Sequence, residues 1–327
     1  MIRSRSGASG ARTALGCLLL TLAASAGCED RDASPAARRD PAVVEDAAAA
    51  EGRRTLLQIV AAEQSLAYTG YKSTISGRPG EGRATRMRIA RYPAGPTLLE
   101  WDQDGGPTRR WVYRRRFAWM EDPELLLRNY TVEVAPEPGP SVAWRETRVV
   151  RVRGRSAGRP SLDLWIDRET SLVLRDELTG CDGRSVTTSV FETIDYAPPA
   201  APLAEADAER LPEPTSPPGS WPSMPLAVTS APGGFTVVHR ERSADGSLRE
   251  DWSDGLAAFC VLQTTRVPSC DGQGAPKEGE VRRRGCGSRA QVSGLFGGVW
   301  VEVAGALPAA DLEAVIRGLA PGAGLAR

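Results

Sequence analysis

The chain has 327 residues, with 41 Lys and Arg against 41 Asp and Glu and a single histidine. A balanced charge leaves no electrostatic footprint for nucleic acid, so that class of partner is excluded. The length is enough for two domains even after a leader is set aside.

In chain order, the first 28 residues read as an export signal. Arg3, Arg5 and Arg12 give a positive start, and ALGCLLLTLAASAG follows as an apolar stretch of signal length. That stretch is shorter than the roughly 20 apolar residues a membrane span needs. It ends in ASAGC, which places Cys28 where a bacterial lipoprotein signal puts its acylated cysteine; Ser25 stands where leucine is usual. Cleavage after Ala24-Ser25-Ala26, with simple secretion, is the alternative. Both readings export the protein. Removing the signal leaves 38 bases against 41 acids.

Residues 29–52, rich in alanine and charge, read as a disordered tether. TLLQIVAAEQSL then sets Leu56, Ile59, Val60 and Glu63 at helical spacing, a short amphipathic helix. Strands follow in LAYTGYKSTIS, ATRMRIARYP, PTLLEWD, RRWVYRR and RFAWME, each bounded by Gly, Pro or Asp turns. WIDRETSLVLR reads as a hairpin, with Trp165 and Ile166 on one arm, Leu172–Leu174 on the other and Asp167–Ser171 as the turn. Such spacing predicts one large, strongly curved antiparallel sheet over 53–198, its alternate arginines solvated. The proline-dense segment 199–220 reads as a linker rather than an element. Beyond it, 221–323 alternates strands with a final helix that starts at Pro308 and carries Leu312, Val315, Ile316 and Leu319 on one face. The fold class expected is mainly β, a large β domain followed by a smaller α+β domain.

The chemistry expected is sparse. His239, in FTVVHRERS, reads as a surface or interface residue rather than a catalytic one. No GxSxG elbow, phosphate loop or HExxH is present, and Gly294–Gly298 precedes a strand, so it offers no helix N–H groups to a phosphate. The carboxylate pairs Asp251 with Asp254 and Glu121 with Asp122 sit in polar turns, where solvation keeps them ordinary. The turn Ser253-Asp254-Gly255 poses its own question, whether it is an acidic loop or a corner feeding a buried strand. Cys181, Cys260, Cys270 and Cys286 lack the CxxC spacing and neighbouring histidines of a zinc site, so no metal is expected. Export permits disulfides, and Cys270–Cys286 across a polar glycine-containing loop is the favoured pair; Cys260 reads as a buried thiol. No cofactor and no enzymatic activity are expected. A half-open sheet suits either apolar ligand binding in its concavity or protein docking on its face. Leu66, Tyr68, Met87, Ile89, Leu98, Trp101, Trp111 and Trp119 are candidates for an apolar lining, as are Leu125–Leu127; the alternative is that they simply form the core.

The order of these pieces resembles the RseB/MucB family of periplasmic regulators of the envelope-stress sigma factor. LLQIVAAEQSLAYTGYKSTI, LLLRNYTVEV and LDLWIDRETSLVLRDELTGCDGRSVTTSVFETIDY resemble the large N-terminal domain, and MPLAVTSAPGGFTVVHRERS, EDWSDGLAAFCV and GGVWVEVAGALPAADLEAVIRGL the smaller C-terminal one. The resemblance spans about residues 53–322. It implies an N-terminal domain with the lipoprotein-carrier (LolA/LolB-like) fold, an unclosed antiparallel barrel capped by helices around an apolar cavity. It also implies binding to the periplasmic part of an anti-sigma factor, shielding that partner from proteolysis, and release when lipid or lipoprotein acyl chains occupy the cavity. Under it, the Ser253-Asp254-Gly255 turn becomes the corner into a buried strand. Three features depart from the family pattern: the candidate anchor Cys28, which would tie the chain to a membrane, the cysteines at 270–286, and the proline-rich connection. An anchored carrier or acceptor of lipoproteins or lipids is the alternative function.

Overall fold

A computed structural model describes residues 47–321, apart from 78–82, 93–96, 102–108, 114–117, 182, 198, 200–208, 211–223, 267–276 and 287–288. The signal with Cys28, most of the 199–220 connection, and Cys270 lie outside the described residues, and so does the side chain of Cys286. The fold is mainly β, built on two large antiparallel sheets.

Helix α1 (Ala47–Ser65) starts inside the stretch expected to be tether. Its buried stripe is Thr55, Leu56, Ile59, Val60 and Ala62, the 3.6-residue pattern that makes a surface helix amphipathic. β1 (Tyr68–Ser76), β2 (Arg83–Arg91), β3 (Thr97–Trp101) and β4 (Arg109–Tyr113) then form a meander. The short helices α2 (Ala118–Glu121) and α3 (Pro123–Asn129) carry the chain to the opposite edge of the sheet. Asp122 caps α3, its carboxylate accepting the Leu125 N–H at 3.0 Å, while Pro123 occupies a first-turn position that needs no N–H.

β5 (Tyr130–Val142), β6 (Arg145–Gly154), β7 (Ser161–Asp167), β8 (Val173–Thr179) and β9 (Ser185–Asp195) run back until β9 pairs with β1. With β10 (Glu209–Arg210) beside β4, the sheet order is β10-β4-β3-β2-β1-β9-β8-β7-β6-β5. β5 and β9 approach each other although three strands lie between them, so this sheet curls without closing. Its two ends are covered differently. Parallel β10, drawn from the proline-rich stretch read as carrying no element, lies along β4; α1 packs along β5. Gly52 makes that packing close, for a Cβ there would stand 1.8 Å from the Val132 carbonyl oxygen. The core under α1 joins Leu56, Ile59, Trp119, Leu126 and Tyr130 to Val150, Leu162, Leu164 and Ile166 of the sheet.

The second lobe has a six-stranded sheet, β12 (Thr236–Arg242), β13 (Leu248–Ser253), β14 (Ala258–Thr264), β17 (Val299–Gly305), β16 (Arg289–Phe296) and β15 (Val281–Cys286) in spatial order. Helix α4 (Ala309–Arg317) lies across β16 and β17 and buries Leu312, Val315 and Ile316 against Phe259, Val261, Val301 and Val303. A small antiparallel pair, β11 (Leu226–Val228) with β18 (Leu319–Pro321), completes it. Buried Gln263 ties β11 to the sheet through both its amide groups, at 2.9 and 2.7 Å.

The hairpin expected at WIDRETSLVLR is present as β7–β8, and Asp167 explains its turn. Asp167 is 1% exposed. One carboxylate oxygen accepts the N–H groups of Glu169 and Thr170, the other accepts Arg145 Nε at 2.8 Å and the Tyr196 hydroxyl at 2.6 Å. Burial works against this charge, but the hydrogen bonds outweigh it and hold the pKa below the ordinary carboxylate range. A depressed pKa contributes stability above the unfolded value and loses it as pH falls through the folded one. Asp167→Ala is therefore expected to cost about 3 kcal/mol in urea unfolding at pH 7, since it strands several donors, with the gap to wild type narrowing below about pH 4.

Candidate functional site

Two regions bring functional side chains together: the inner wall of the curled sheet, and the joint between the lobes.

On the inner wall, alternate residues of neighbouring strands share a face. Tyr68 pairs in register with Arg91, Gly70 with Ile89, and Lys72 with both Met87 and Phe191. Tyr68 and Phe191 meet edge to face at 5.8 Å, with Ile89, Leu172 and Leu174 in the same apolar cluster and Leu66, Met87 and Leu99 packed on it. A polar band runs through this apolar wall. Lys72 Nζ donates to Asp176 at 3.0 Å and stands 5.5 Å from the Phe191 ring centre. Arg91, almost fully buried, donates to the Glu63 carbonyl oxygen at 3.2 Å and to Thr97 Oγ1 at 2.9 Å. The Tyr68 hydroxyl points to the Glu63 carboxylate at 3.5 Å. Burial raises the pKa of Glu63 against the opposing charges of Lys72 and Arg91, and burial followed by the Glu63 charge raises that of Tyr68. Such a wall offers apolar area for an acyl-like chain and fixed polar groups for a head group.

The expected lining residues do not share one surface. Leu66, Tyr68, Met87 and Ile89 belong to the inner-wall cluster. Trp101 and Trp111 pack edge to face at 3.9 Å further along that face. Trp119 lies in the core beneath α1 with Leu126, and Leu98 lies on the opposite face of the sheet with Ala90 and Val112.

The joint is built around the turn between β13 and β14. Asp254, 0% exposed, accepts the N–H groups of Leu256 and Ala257 at 3.1 and 2.8 Å through one oxygen, which shapes the corner. Its other oxygen crosses to the first lobe, accepting the Tyr130 hydroxyl at 2.9 Å and Arg159 Nη1 at 2.7 Å. Arg159 also donates to the Gly233 carbonyl and lies over the Phe235 ring at 4.8 Å. Asn129 at the end of α3 binds the Leu125, Gly234 and Asp254 carbonyl oxygens with its side-chain amide, at 3.0, 3.1 and 2.9 Å. Gly255, at φ 104°, fits because a Cβ would lie 2.6 Å from the Leu126 backbone. Burial is the main cause that raises the Asp254 pKa, and burial followed by the Asp254 charge raises that of Tyr130.

Two expectations about solvation are corrected here. Asp251 and Asp254 are buried rather than solvated, because the first lobe covers the Asp254 turn and Arg249 holds Asp251 at 2.8 Å. His239 is 6% exposed, not a surface residue, and lies in register with Asp251 and 3.5 Å from Glu241. The corner reading of Ser253-Asp254-Gly255 holds, and Cys181 and Cys260 are each partly buried. Asn129, Tyr130 and Arg159 were missed as joint residues. The one sequence signal for Asn129 and Tyr130 was that LLLRNYTVEV belongs to the family resemblance; Arg159 had none.

The fold and these two regions define a two-lobed, mainly β protein whose lobes are locked by a buried polar joint. Residues 112–215 match the family model described as the MucB/RseB N-terminal domain. A chain of the Pseudomonas aeruginosa MucA/MucB complex is similar at TM-score 0.61 and 20% identity, over 83% of this chain and 99% of that one. MucB in complex with MucA(peri) gives 0.59 at 20%, and MucB by itself 0.54 at 20%, each over 83% of this chain and 98% of the other. Both findings agree with the resemblance to the MucB/RseB family read from the sequence, the family model over residues 112–215 and the fold over most of the chain. No curated protein matches the chain.

Proposed function

We propose that this chain is a periplasmic, non-enzymatic regulatory binding protein that holds the periplasmic part of an anti-sigma factor and so modulates its proteolysis in the envelope-stress response. The observation that carries this reading is the MucB fold shared across 83% of the chain, together with MucB's own complexes with MucA. The two lobes, taken as domains over 53–198 and 221–323, would offer one continuous surface because the joint fixes their orientation. The inner wall around Tyr68, Lys72, Ile89 and Phe191 would take an acyl chain of a lipid or lipoprotein. Such a ligand displaces the partner only if it binds the partner-free form more tightly. Cys28 would carry the lipid anchor, and Cys270–Cys286 a disulfide. A carrier role shares the inner wall but leaves the second lobe and the joint without a task.

The test is titration of the purified chain with the periplasmic segment of a MucA-type anti-sigma factor from the same organism. A dissociation constant on the order of 1 µM or tighter, weakened by an added lipopeptide, is expected. Absence of binding up to about 100 µM would sink the regulatory reading; binding unaffected by lipopeptide would remove the sensing part alone.

A further inference from the structure

The hairpin between β5 and β6 ends in a two-residue turn, because Val142 pairs with Arg145 across it. Both turn residues have left-handed backbone, Ala143 at φ 49° and Trp144 at φ 63°. That geometry is normally occupied by Asn-Gly or Gly-Gly, since a Cβ is strained there and a bulky side chain more so. Trp144 is moreover 94% exposed, against 52% for Ile75, the next most exposed large apolar residue among the described residues. The base of the hairpin is firmly held. Val142 is buried in the cluster with Leu172 and Leu174, Thr147 donates to the Pro140 carbonyl at 2.7 Å, and Arg145 is fixed on Asp167. A rigid stalk thus presents one tryptophan to water at a conformational cost. Strain kept at a defined position points to function.

The surroundings of the tip select the occupant. A stable protein interface needs a contiguous apolar centre inside a large patch, but the neighbouring residues Glu137, Pro138, Pro140, Ser141 and Glu146 are exposed and mostly polar or proline. The nearby arginines are held by carboxylates, Arg168 by Glu146 and Arg145 by Asp167 and Glu169, so the tip offers no unpaired positive charge to attract an acidic partner. The head-group region of a bilayer, in contrast, accepts a single tryptophan ring. The chain outside the structure fits this. α1 runs alongside β5, with Gly52 beside Val132 and Gln58 bonded to Arg148, so its N-terminus and the hairpin tip lie at opposite ends of the helix. That end-to-end distance is about 28 Å at 1.5 Å per residue. Residues 29–46, between Cys28 and α1, reach about 60 Å at full extension, enough for the tip to meet a membrane that holds Cys28.

We propose that Trp144 is a second membrane contact, inserting at the bilayer interface and fixing how the anchored protein lies on the membrane. This rests on the proposed acylation of Cys28 for its setting, but not for its test. The full chain with Cys28→Ser and a C-terminal hexahistidine tag is recruited to phosphatidylethanolamine–phosphatidylglycerol vesicles containing a nickel-chelating lipid and dibrominated acyl chains. Of the 8 tryptophans, one is expected to be quenched, a loss of about one eighth of the emission. Trp144→Asn is expected to abolish the quenching while leaving the melting temperature unchanged or raised, since Asn tolerates the left-handed turn. Equal quenching in both proteins, or none in either, overturns the proposal. Loss of anti-sigma segment binding in Trp144→Asn without any bromine quenching also overturns it, and makes the tip a protein contact instead. Failure of the natively processed chain to float with plain vesicles would count against Cys28 acylation, not against Trp144.

Discussion

Asp254→Ala is expected to lower the unfolding free energy by about 3–5 kcal/mol, the range for removing one partner of a buried ion pair. The loss is large because four donors lose their acceptor at once: the Tyr130 hydroxyl, Arg159 Nη1, and the N–H groups of Leu256 and Ala257. Two of these belong to each lobe, so the damage falls on the joint. Calorimetry is expected to resolve two transitions where the wild type shows one, because cooperative unfolding requires the lobes to be coupled. One transition at the wild-type temperature would show that the joint carries no coupling. Tyr130→Phe removes a single hydroxyl and is expected to cost about 1–2 kcal/mol; combined with Arg159→Met, its effect should be non-additive, since both groups share one carboxylate oxygen.

The joint also has a pH signature. The folded pKa of Asp254 is raised above its ordinary 3.8, so the folded state holds the proton over a range where the unfolded chain releases it. The extra stability that comes from holding this proton is fully present below about pH 4 and is lost as pH rises through the folded pKa, while the hydrogen bonds to the carboxylate remain. Wild-type stability, relative to Asp254→Asn, should therefore increase as pH is lowered through the folded pKa towards about 4. Glu63 shifts in the same direction by burial, so the comparison is best made in a Glu63→Gln background. A gap between the two proteins that is flat or shrinks on acidification would contradict this assignment.

Gly52→Ala gives the second large effect, and with the opposite sign to intuition. In an exposed helix this change stabilises by about 1 kcal/mol. Here the added methyl would occupy a point 1.8 Å from the Val132 carbonyl oxygen, so α1 has to move off β5. A net loss of about 2–3 kcal/mol is expected, in line with overpacking at a close contact. Because α1 covers the end strand of the curled sheet, its displacement also opens an unpaired edge. Light scattering should rise together with the fall in denaturation midpoint. A Gly52→Ala protein as stable as wild type would mean that α1 does not seal that edge.

The parts of this fold that were legible in the sequence are those written in local pattern. α1 announced itself by Leu56, Ile59 and Val60, α4 by Pro308 and the Leu312–Ile316 face, and the β7–β8 hairpin by Asp167 and Ser171 between apolar arms. The joint was not legible, because its members lie far apart in the chain: Tyr130 and Asp254 are separated by 124 residues, Arg159 and Asp254 by 95. Ser-Asp-Gly carries the composition of a solvated turn, and only the covering lobe turns Asp254 into a buried anchor. The same reason misplaced His239, since an alternating strand pattern tells which residues share a face but not whether that face is covered. Leu98 and Leu99 make the point at one-residue resolution. Both are apolar neighbours, yet the pleat sends Leu99 to the inner wall and Leu98 to the other side. The pairing of Glu209–Arg210 with β4 had no signal among the surrounding prolines.

The central claim, that this two-lobed protein is a regulator holding an anti-sigma factor, is tested most directly in the cell. Cross-linking in intact cells, purification through a C-terminal tag and mass spectrometry would identify what the protein touches. The account predicts recovery of a single-span membrane protein with a cytoplasmic sigma-binding domain, cross-linked through its periplasmic part. Recovery of lipoproteins alone, with no such protein above background, would contradict the account and make the chain a carrier.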